Sequence, residues 1–159
     1  MRMTEIKIIK GDILTVEFGV IVHGVNCFGV FNAGIAKQIR QKYPEVCSDY
    51  LRIYKDYGGY RYKGDRNLLG TIQICSVSND LYFVNAFTQL NYGNDGKKYV
   101  SYDAIDNAFA AIARAIDTDS NIHFPKIGCG LAGGEWSVVQ SIIEHRLKDF
   151  PNKFLWIKE

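Results

Sequence analysis

Phe124-Pro-Lys-Ile-Gly-Cys-Gly-Leu-Ala-Gly-Gly-Glu-Trp136 is the most informative stretch of this sequence. A short apolar strand leads into a turn with four glycines, and an amphipathic helix follows directly. Glycines let the backbone point several N–H groups at one place, and the helix adds the positive end of its dipole. The stretch therefore predicts a phosphate-binding loop, although an ordinary strand-to-helix connection would have the same order of elements.

A second stretch, from His23 to Ile39, repeats this design. An apolar strand over residues 19–25 is followed by a loop with Gly29 and Gly34 and then by a helix with an apolar face. Open α/β sheets bind their ligands at the carboxyl ends of the strands, where both loops would lie. Together the loops predict a ligand with two phosphates, or with a phosphate flanked by sugars. Neither loop has the motif of a P-loop NTPase or of a Rossmann dehydrogenase.

Strand-like and helix-like segments alternate along the chain. Helical periodicity is clearest after Pro44, Ser101 and Trp136. This alternation predicts an α/β fold, in which helices cover both faces of a mixed, mostly parallel sheet. The length of 159 residues predicts a single domain over residues 1–159. The strand-like segments are residues 5–9, 19–25, 71–77, 81–87, 122–127 and 154–158.

The composition argues against several classes of protein. The sequence is 47% hydrophobic, yet it has no apolar run long enough to span a bilayer and no leader, which predicts a soluble, cytoplasmic protein without a membrane partner. A net charge of +2 is too small to indicate nucleic-acid binding, whereas a small anionic ligand needs only a local field. The four cysteines have no C-x-x-C pairing and predict reduced packing residues, so neither disulfides nor a metal are expected.

Two polar, glycine-bearing segments interrupt the alternation, at residues 58–67 and 91–99. Each contains lysine or arginine, among them Arg61 and Lys97. Solvated loops are the prediction for both segments. The alternative is that one of these basic loops closes over a terminal phosphate of the ligand.

Several short motifs together resemble a macro domain, the ADP-ribose-binding module, across essentially the whole chain. The resemblance implies the macro-domain fold, a mixed, mostly parallel sheet of six or seven strands with helices on both faces. It also implies a small-molecule ligand, a monomer and no cofactor. The motifs are Lys10-Gly-Asp-Ile13, His23-Gly-Val-Asn26, Asn32-Ala-Gly-Ile-Ala36 and Pro125-Lys-Ile-Gly-Cys-Gly-Leu131, with Trp136 after the last.

Within that superfamily the chain most resembles the yeast-type ADP-ribose-1''-phosphate phosphatases, through Tyr43-Pro44 and Phe87-Thr88. The implied activity is hydrolysis of ADP-ribose 1''-phosphate to ADP-ribose and inorganic phosphate, without a metal. One alternative is a non-catalytic ADP-ribose reader. Another is a hydrolase that removes ADP-ribose from modified macromolecules. The glycohydrolase branch has a lysine and an aspartate where this chain has Asn85-Ala86-Phe87 and Ala132, which counts against that activity.

Three residues are implied by the resemblance to bind the adenine end. Asp12 would accept a hydrogen bond from the adenine N6 amine, assisted by the backbone N–H of Ile13. The alternative for Asp12 is a turn whose carboxylate binds its own backbone. Trp156 would stack on the base, and core packing explains this tryptophan equally well.

The distal end of the ligand is assigned to His23 and Asn26 as candidate catalytic residues. Imidazole titrates near neutrality, so His23 could orient water or transfer a proton, although a buried core histidine is the alternative. Asn26 can donate and accept hydrogen bonds to a ribose or phosphate, and an Asx turn is its alternative. The remaining predicted ligand contacts are Asn32, Ala33, Gly34 and Ile35 in the first loop and Gly128, Cys129, Gly130, Leu131, Ala132 and Gly133 in the second.

Overall fold

The secondary structure follows the alternation that the sequence predicts. The computed structural model describes residues 5–55, 65–92 and 98–158, except for the side chain of Lys55. Two short 3-10 helices, Ile13–Thr15 and Arg66–Leu68, lie in connections. The strands and α-helices of the described residues are β1 (Lys7–Lys10), β2 (Gly19–Asn26), α1 (Gly34–Lys42), α2 (Pro44–Lys55), β3 (Ile72–Ser76), β4 (Leu81–Gln89), α3 (Tyr102–Ala115), β5 (Ile122–Phe124), α4 (Trp136–Arg146) and β6 (Lys153–Ile157).

One mixed sheet of six strands forms in the order β1-β6-β5-β2-β4-β3 over the described part of the chain. Every neighbouring pair is parallel except β3 and β4, which are antiparallel. The mixed, mostly parallel sheet of the sequence prediction is confirmed. Because β1, β6, β5, β2 and β4 run in one direction, their carboxyl ends meet at the same edge of the sheet.

Helices cover both faces of this sheet, as predicted. On one face, Phe109 of α3 and Ile143 of α4 belong to the same core cluster as Val22 of the central strand β2. On the other face, Ile39 of α1 and Tyr50 of α2 belong to the second core cluster. All five side chains are fully buried, so the sheet is the middle layer of a three-layer α/β structure.

Two element boundaries differ from the prediction or fall beyond what the structure describes. Strand β5 ends at Phe124 and not at Ile127, because Pro125 has no N–H to continue the ladder. Helix α2 is described to Lys55, so Tyr57, which belongs to the predicted apolar stripe of that helix, lies outside the described residues. The same holds for residues 58–64 and 93–97 of the two predicted loops.

The structure also gives the burial of the cysteines and the length and polarity of the helices. Cys27, Cys47 and Cys75 are buried and Cys129 is half-buried, and all four are free thiols. The burial of three of them agrees with the predicted packing role. Among the helices that the structure describes, none is long and apolar enough to cross a membrane.

We expect Ser101→Ala to lower the free energy of unfolding by about 1 kcal/mol. The Ser101 hydroxyl accepts a hydrogen bond from the N–H of Ala104 at 3.1 Å and thereby caps the start of α3. Urea denaturation measures the change. Ser141→Ala is the matched control, because that exposed hydroxyl only bonds the Ser137 carbonyl within α4. Equal losses in the two variants would contradict the capping role.

Candidate functional site

A cavity of about 470 Å³ lies at the carboxyl edge of the sheet, between the loop that follows β2 and the loop that follows β5. This volume is within the range of small-molecule sites. From the first loop and β2 the lining residues are Gly24, Val25, Asn26, Val30, Asn32, Ala33, Gly34, Ile35 and Ala36. From β4 and the second loop they are Gln89, Tyr92, Pro125, Lys126, Ile127, Gly128, Gly130, Leu131 and Ala132.

Asn26 folds the first loop and also lines the cavity. Its Oδ1 accepts hydrogen bonds from the N–H groups of Phe28 (3.0 Å) and Val30 (3.3 Å), and its Nδ2 donates to the Val30 carbonyl (2.8 Å). This is the Asx-type turn that the sequence left open as an alternative. The second hydrogen of Nδ2 is left for a ligand, so the two interpretations of Asn26 are compatible.

The start of α1 forms the adjoining wall. Gly34 has a φ of +57°, in the left-handed region that favours glycine, and it is the first residue of the helix. Among the described side chains, none caps this helix at Ala33. The first N–H groups of α1 therefore have no side-chain acceptor and leave the positive end of the helix dipole at the cavity. All four predicted contacts of this loop, residues 32–35, line the cavity.

Several N–H groups of the second loop are used within the loop itself. The N–H of Cys129 donates to the Lys126 carbonyl, and that of Gly133 donates to the Gly130 carbonyl. Cys129 and Gly133 do not line the cavity, so for these two the ligand contact stays a prediction. The four other predicted residues of this loop, Gly128, Gly130, Leu131 and Ala132, do line it.

Gly128 and Gly130 are needed for different reasons. Gly128 has a φ of +75°, and a Cβ there would lie 2.5 Å from Val100 Cγ2, so the packing of the loop itself requires this glycine. Gly130 has no positive φ, and no described atom lies within 4 Å of an added Cβ. At Gly130 the absent side chain therefore leaves space in the cavity and relieves no backbone strain.

The structure does not place His23, a predicted catalytic residue, at the cavity. Its side chain is 0% exposed and lies in the core, outside the cavity lining. Nε2 is 2.5 Å from Asn85 Oδ1, and the ring packs edge-on against Phe31. Burial lowers the pKa of His23 from 6.5 to about 4, so the imidazole is neutral near pH 7. The structure thus places His23 where the alternative of a core histidine has it, away from the cavity.

Asp12, Ile13 and Trp156 lie at the same edge of the sheet but do not line the cavity. Asp12 Oδ1 accepts the N–H of Leu14 at 2.9 Å, which is the turn-stabilising alternative. Ile13 is buried in the core beneath α1 and α2. Trp156 is half-buried, and its Nε1 donates to His123 Nδ1 at 2.9 Å. Residues of both loops therefore line the cavity, and these three residues lie outside it.

Gln89 was not predicted, because a β-bulge brings it into the cavity. Val25 pairs with Phe87, but the next residue of β2, Asn26, pairs with Gln89. Thr88 is the extra residue and is fully buried. Bulges of this kind turn side chains toward functional sites. No local pattern in the sequence predicts this bulge, since it depends on pairing between distant strands.

Lys126 was also missed, although its place directly before the second glycine loop could have revealed it. Among the described lining residues it is the one with a formal charge, and no carboxylate belongs to that set. Tyr92 and Leu131, 49% and 54% exposed, add apolar surface to the lining. A single cation, the N-terminus of α1 and the loop N–H groups together favour an anionic ligand.

Comparisons with known proteins agree with this architecture. The family model described as "Macro domain" matches residues 22–143. A solved structure of a Bacteroides thetaiotaomicron protein of unknown function superimposes with a TM-score of 0.84 at 29% identity, covering 99% of this chain and 100% of that one.

Two relatives with described activities are similar at lower identity. The ADP-ribose 1''-phosphate phosphatase of Saccharomyces cerevisiae is 26% identical over 171 residues, which cover 89% of this chain and 93% of the yeast protein. The DNA ADP-ribosyl glycohydrolase of Mycobacterium tuberculosis is also 26% identical, over 146 residues that cover 90% of this chain but 39% of that protein.

The buried state of His23 predicts a loss of stability in mild acid. The folded-state pKa of about 4 lies below the unfolded value of 6.5, so the unfolded chain binds the proton first as the pH falls. The contribution is fully present above pH 6.5 and is lost between pH 6.5 and about 4, by up to about 3 kcal/mol. Urea denaturation across this pH range measures it.

His23→Gln should reduce the pH dependence in that range, because its amide can still donate to Asn85 Oδ1 but does not titrate. His145→Gln is the control, since His145 is exposed on α4. A variant at position 23 with the same pH dependence as the wild type would contradict the assignment.

Proposed function

We propose that this chain, which belongs to the macro domain family, binds ADP-ribose and hydrolyses ADP-ribose 1''-phosphate to ADP-ribose and inorganic phosphate. The observation that carries the proposal is the cavity itself, where two glycine loops and the N-terminus of α1 meet around one lysine and no carboxylate of the described residues. The similarity to a yeast protein with that named activity supports the choice of substrate.

The diphosphate would lie along the second loop. Gly130, Leu131 and Ala132 line the cavity there, and Lys126 supplies a positive charge. Backbone N–H groups and one ammonium suit a diphosphate, which offers several oxygen acceptors. Asn26 and the start of α1 would then face the distal ribose and its phosphate.

The adenine would lie beyond the cavity, along the same edge of the sheet. β1 and β6 lie on the side of β5 away from β2, so Asp12 and Trp156 extend the site in one direction from the second loop. Asp12 uses Oδ1 to cap its turn, which leaves Oδ2 for the adenine amine. This placement keeps the role proposed for Asp12 and moves it outside the 470 Å³ cavity.

Hydrolysis in this site would rely on positioning. Neither a carboxylate nor an imidazole belongs to the cavity lining as described. A phosphate monoester has a second pKa of about 6, so its own oxygen can accept the proton of the attacking water. As the water oxygen bonds to phosphorus and the bond from phosphorus to the C1'' oxygen breaks, this proton would pass from the phosphoryl oxygen to the departing C1'' oxygen, which becomes the hydroxyl of ADP-ribose. Loop N–H groups and Lys126 would stabilise the negative charge of the phosphoryl oxygens, and Asn26 Nδ2 would donate a hydrogen bond to the C1'' oxygen.

Two other functions remain as competing proposals. A non-catalytic reader would use the same cavity, and turnover alone distinguishes it from the phosphatase. Removal of ADP-ribose from a macromolecule is the activity named for the mycobacterial relative. Cleavage of a glycosidic bond commonly uses a side-chain acid or base at the bond. Gln89, which lies beside Asn26, does not ionise and cannot fill that role.

We expect Gly130→Glu to fold normally and to weaken ADP-ribose binding at least about 100-fold. Its Cβ meets open space, so the backbone is not strained, and the carboxylate would project into a site for phosphate. Calorimetry gives the dissociation constants, and circular dichroism checks the fold. Gly130→Gln, of equal size and without charge, should lose less affinity. A folded Gly130→Glu protein with wild-type affinity would contradict the phosphate site.

We expect Lys126→Gln to lower kcat/KM for phosphate release from ADP-ribose 1''-phosphate by about 10-fold or more, because a hydrogen bond to a charged group is lost. Lys148→Gln is the control, since Lys148 is exposed and outside the cavity lining. Inorganic phosphate is measured directly. Binding of ADP-ribose without phosphate release by the wild type would identify a reader. ADP-ribose release from modified DNA, without phosphate release, would identify a glycohydrolase.

A further inference from the structure

A buried tyrosine lies directly beneath the first loop of the cavity. Tyr50, on α2, is 0% exposed, and its hydroxyl accepts the N–H of Gly29 at 3.0 Å. The same hydroxyl is 2.8 Å from the backbone carbonyl of Asn26 and 2.8 Å from Asn26 Oδ1, either of which can accept its proton. One side chain thus contacts the loop at its first residue and at its turn.

The surroundings of Tyr50 hold this hydroxyl in place. The centroid of its ring lies 5.2 Å from that of Phe31 and 6.0 Å from that of Phe87, on which it stacks, and both phenylalanines are buried. Tyr54 lies one helical turn further along α2, and a Cβ at Gly29 would be 3.3 Å from its ring. Asp49, the residue before Tyr50, accepts a hydrogen bond at its backbone carbonyl from Gln73 Nε2 of β3 at 2.8 Å. This hydrogen bond attaches α2 to the sheet and so holds the helix in place beneath the loop.

These contacts decide which atom of Asn26 can face a ligand. Oδ1 has three donors around it, the N–H groups of Phe28 and Val30 and the Tyr50 hydroxyl. An amide oxygen has two lone pairs, so Oδ1 is saturated by the protein. Nδ2 bonds the Val30 carbonyl and keeps one hydrogen. Asn26 consequently presents a donor to the cavity and not an acceptor.

We infer that Tyr50 is a positioning residue, which holds the loop after β2 so that Asn26 offers its N–H to an oxygen of the ligand. Tyr50 does not line the cavity and acts only through the loop. The inference rests on the proposed function, under which that oxygen belongs to the distal ribose or its phosphate. It adds a basis for specificity, because a ligand without an oxygen acceptor at this position gains nothing from Asn26.

Burial raises the pKa of Tyr50 well above its usual range, so its hydroxyl is protonated near neutral pH. The orientation of Asn26 is therefore independent of pH near neutrality. A histidine in place of Tyr50 would titrate near neutrality, and the orientation of Asn26 would then change with pH.

The test compares Tyr50→Phe with Tyr43→Phe. Both changes remove one hydroxyl from the α1–α2 side of the sheet, but Tyr43 packs against Phe83 and its hydroxyl has no hydrogen bond among the described residues. We expect Tyr50→Phe to weaken ADP-ribose binding at least about 10-fold while AMP binding changes less than about 2-fold, since AMP has no distal ribose. Tyr43→Phe should leave both affinities unchanged. Calorimetry measures all four dissociation constants.

A second measurement needs no variant. The N–H of Gly29 donates to a buried oxygen, so its amide hydrogen should exchange much more slowly in the wild-type protein than an exposed loop amide. Nuclear magnetic resonance resolves this amide. If Tyr50→Phe folds, the exchange of Gly29 should accelerate in it.

Three results would overturn the inference. They are unchanged ADP-ribose affinity in folded Tyr50→Phe, equal loss of ADP-ribose and AMP binding in that variant, and rapid exchange of the Gly29 amide in the wild type. The last result decides the matter even if Tyr50→Phe does not fold. Failure of the wild type to bind ADP-ribose would instead contradict the proposed function, and the Gly29 exchange would still test the hydrogen bond from which the inference starts.

Discussion

The close approach of β2 and β4 at Gly24 is the constraint on which the site depends. A Cβ at Gly24 would lie 2.5 Å from Thr88 Oγ1, so only glycine allows this contact. Thr88 occupies the bulge, and the bulge sets Gln89 opposite Asn26. β2 also pairs with β5, whose end at Phe124 places the second loop beside the first. The cavity therefore follows from the pairing of one central strand on both of its sides.

A chain of buried polar groups supports the same strand from beneath. His23 of β2 bonds Asn85 of β4, and Asn85 Nδ2 donates to Gln73 Oε1 of β3. Gln73 in turn donates to the Asp49 carbonyl of α2. Because each partner is neutral, the chain avoids the cost of a buried charge, whereas loss of one member would leave a polar group unsatisfied, at about 1–3 kcal/mol. This chain ties three strands to the helix that carries Tyr50.

The chemistry available in the cavity depends on which polar side chains already form hydrogen bonds within the protein. His23 and Tyr50 carry polar groups close to the first loop, yet both are fully buried, and their hydrogen bonds support the strand and the loop. The groups left for a ligand are backbone N–H groups, the amides of Asn26, Asn32 and Gln89, the hydroxyl of Tyr92 and the ammonium of Lys126. Such a set binds anions and orients them, which suits a reaction whose substrate brings its own base.

The sequence was enough to predict the α/β class, the order of the strands and helices along the chain, and the two glycine loops, because these depend on periodicity and on glycine within short segments. It also placed Asn26, residues 32–35 and most of the second loop at the cavity. Only the tertiary structure decided that His23 is buried, that Thr88 bulges and that Tyr50 holds the loop. Those outcomes depend on partners 62 residues apart for His23 and Asn85, and 24 apart for Tyr50 and Asn26, and a local pattern contains no information on such distant contacts.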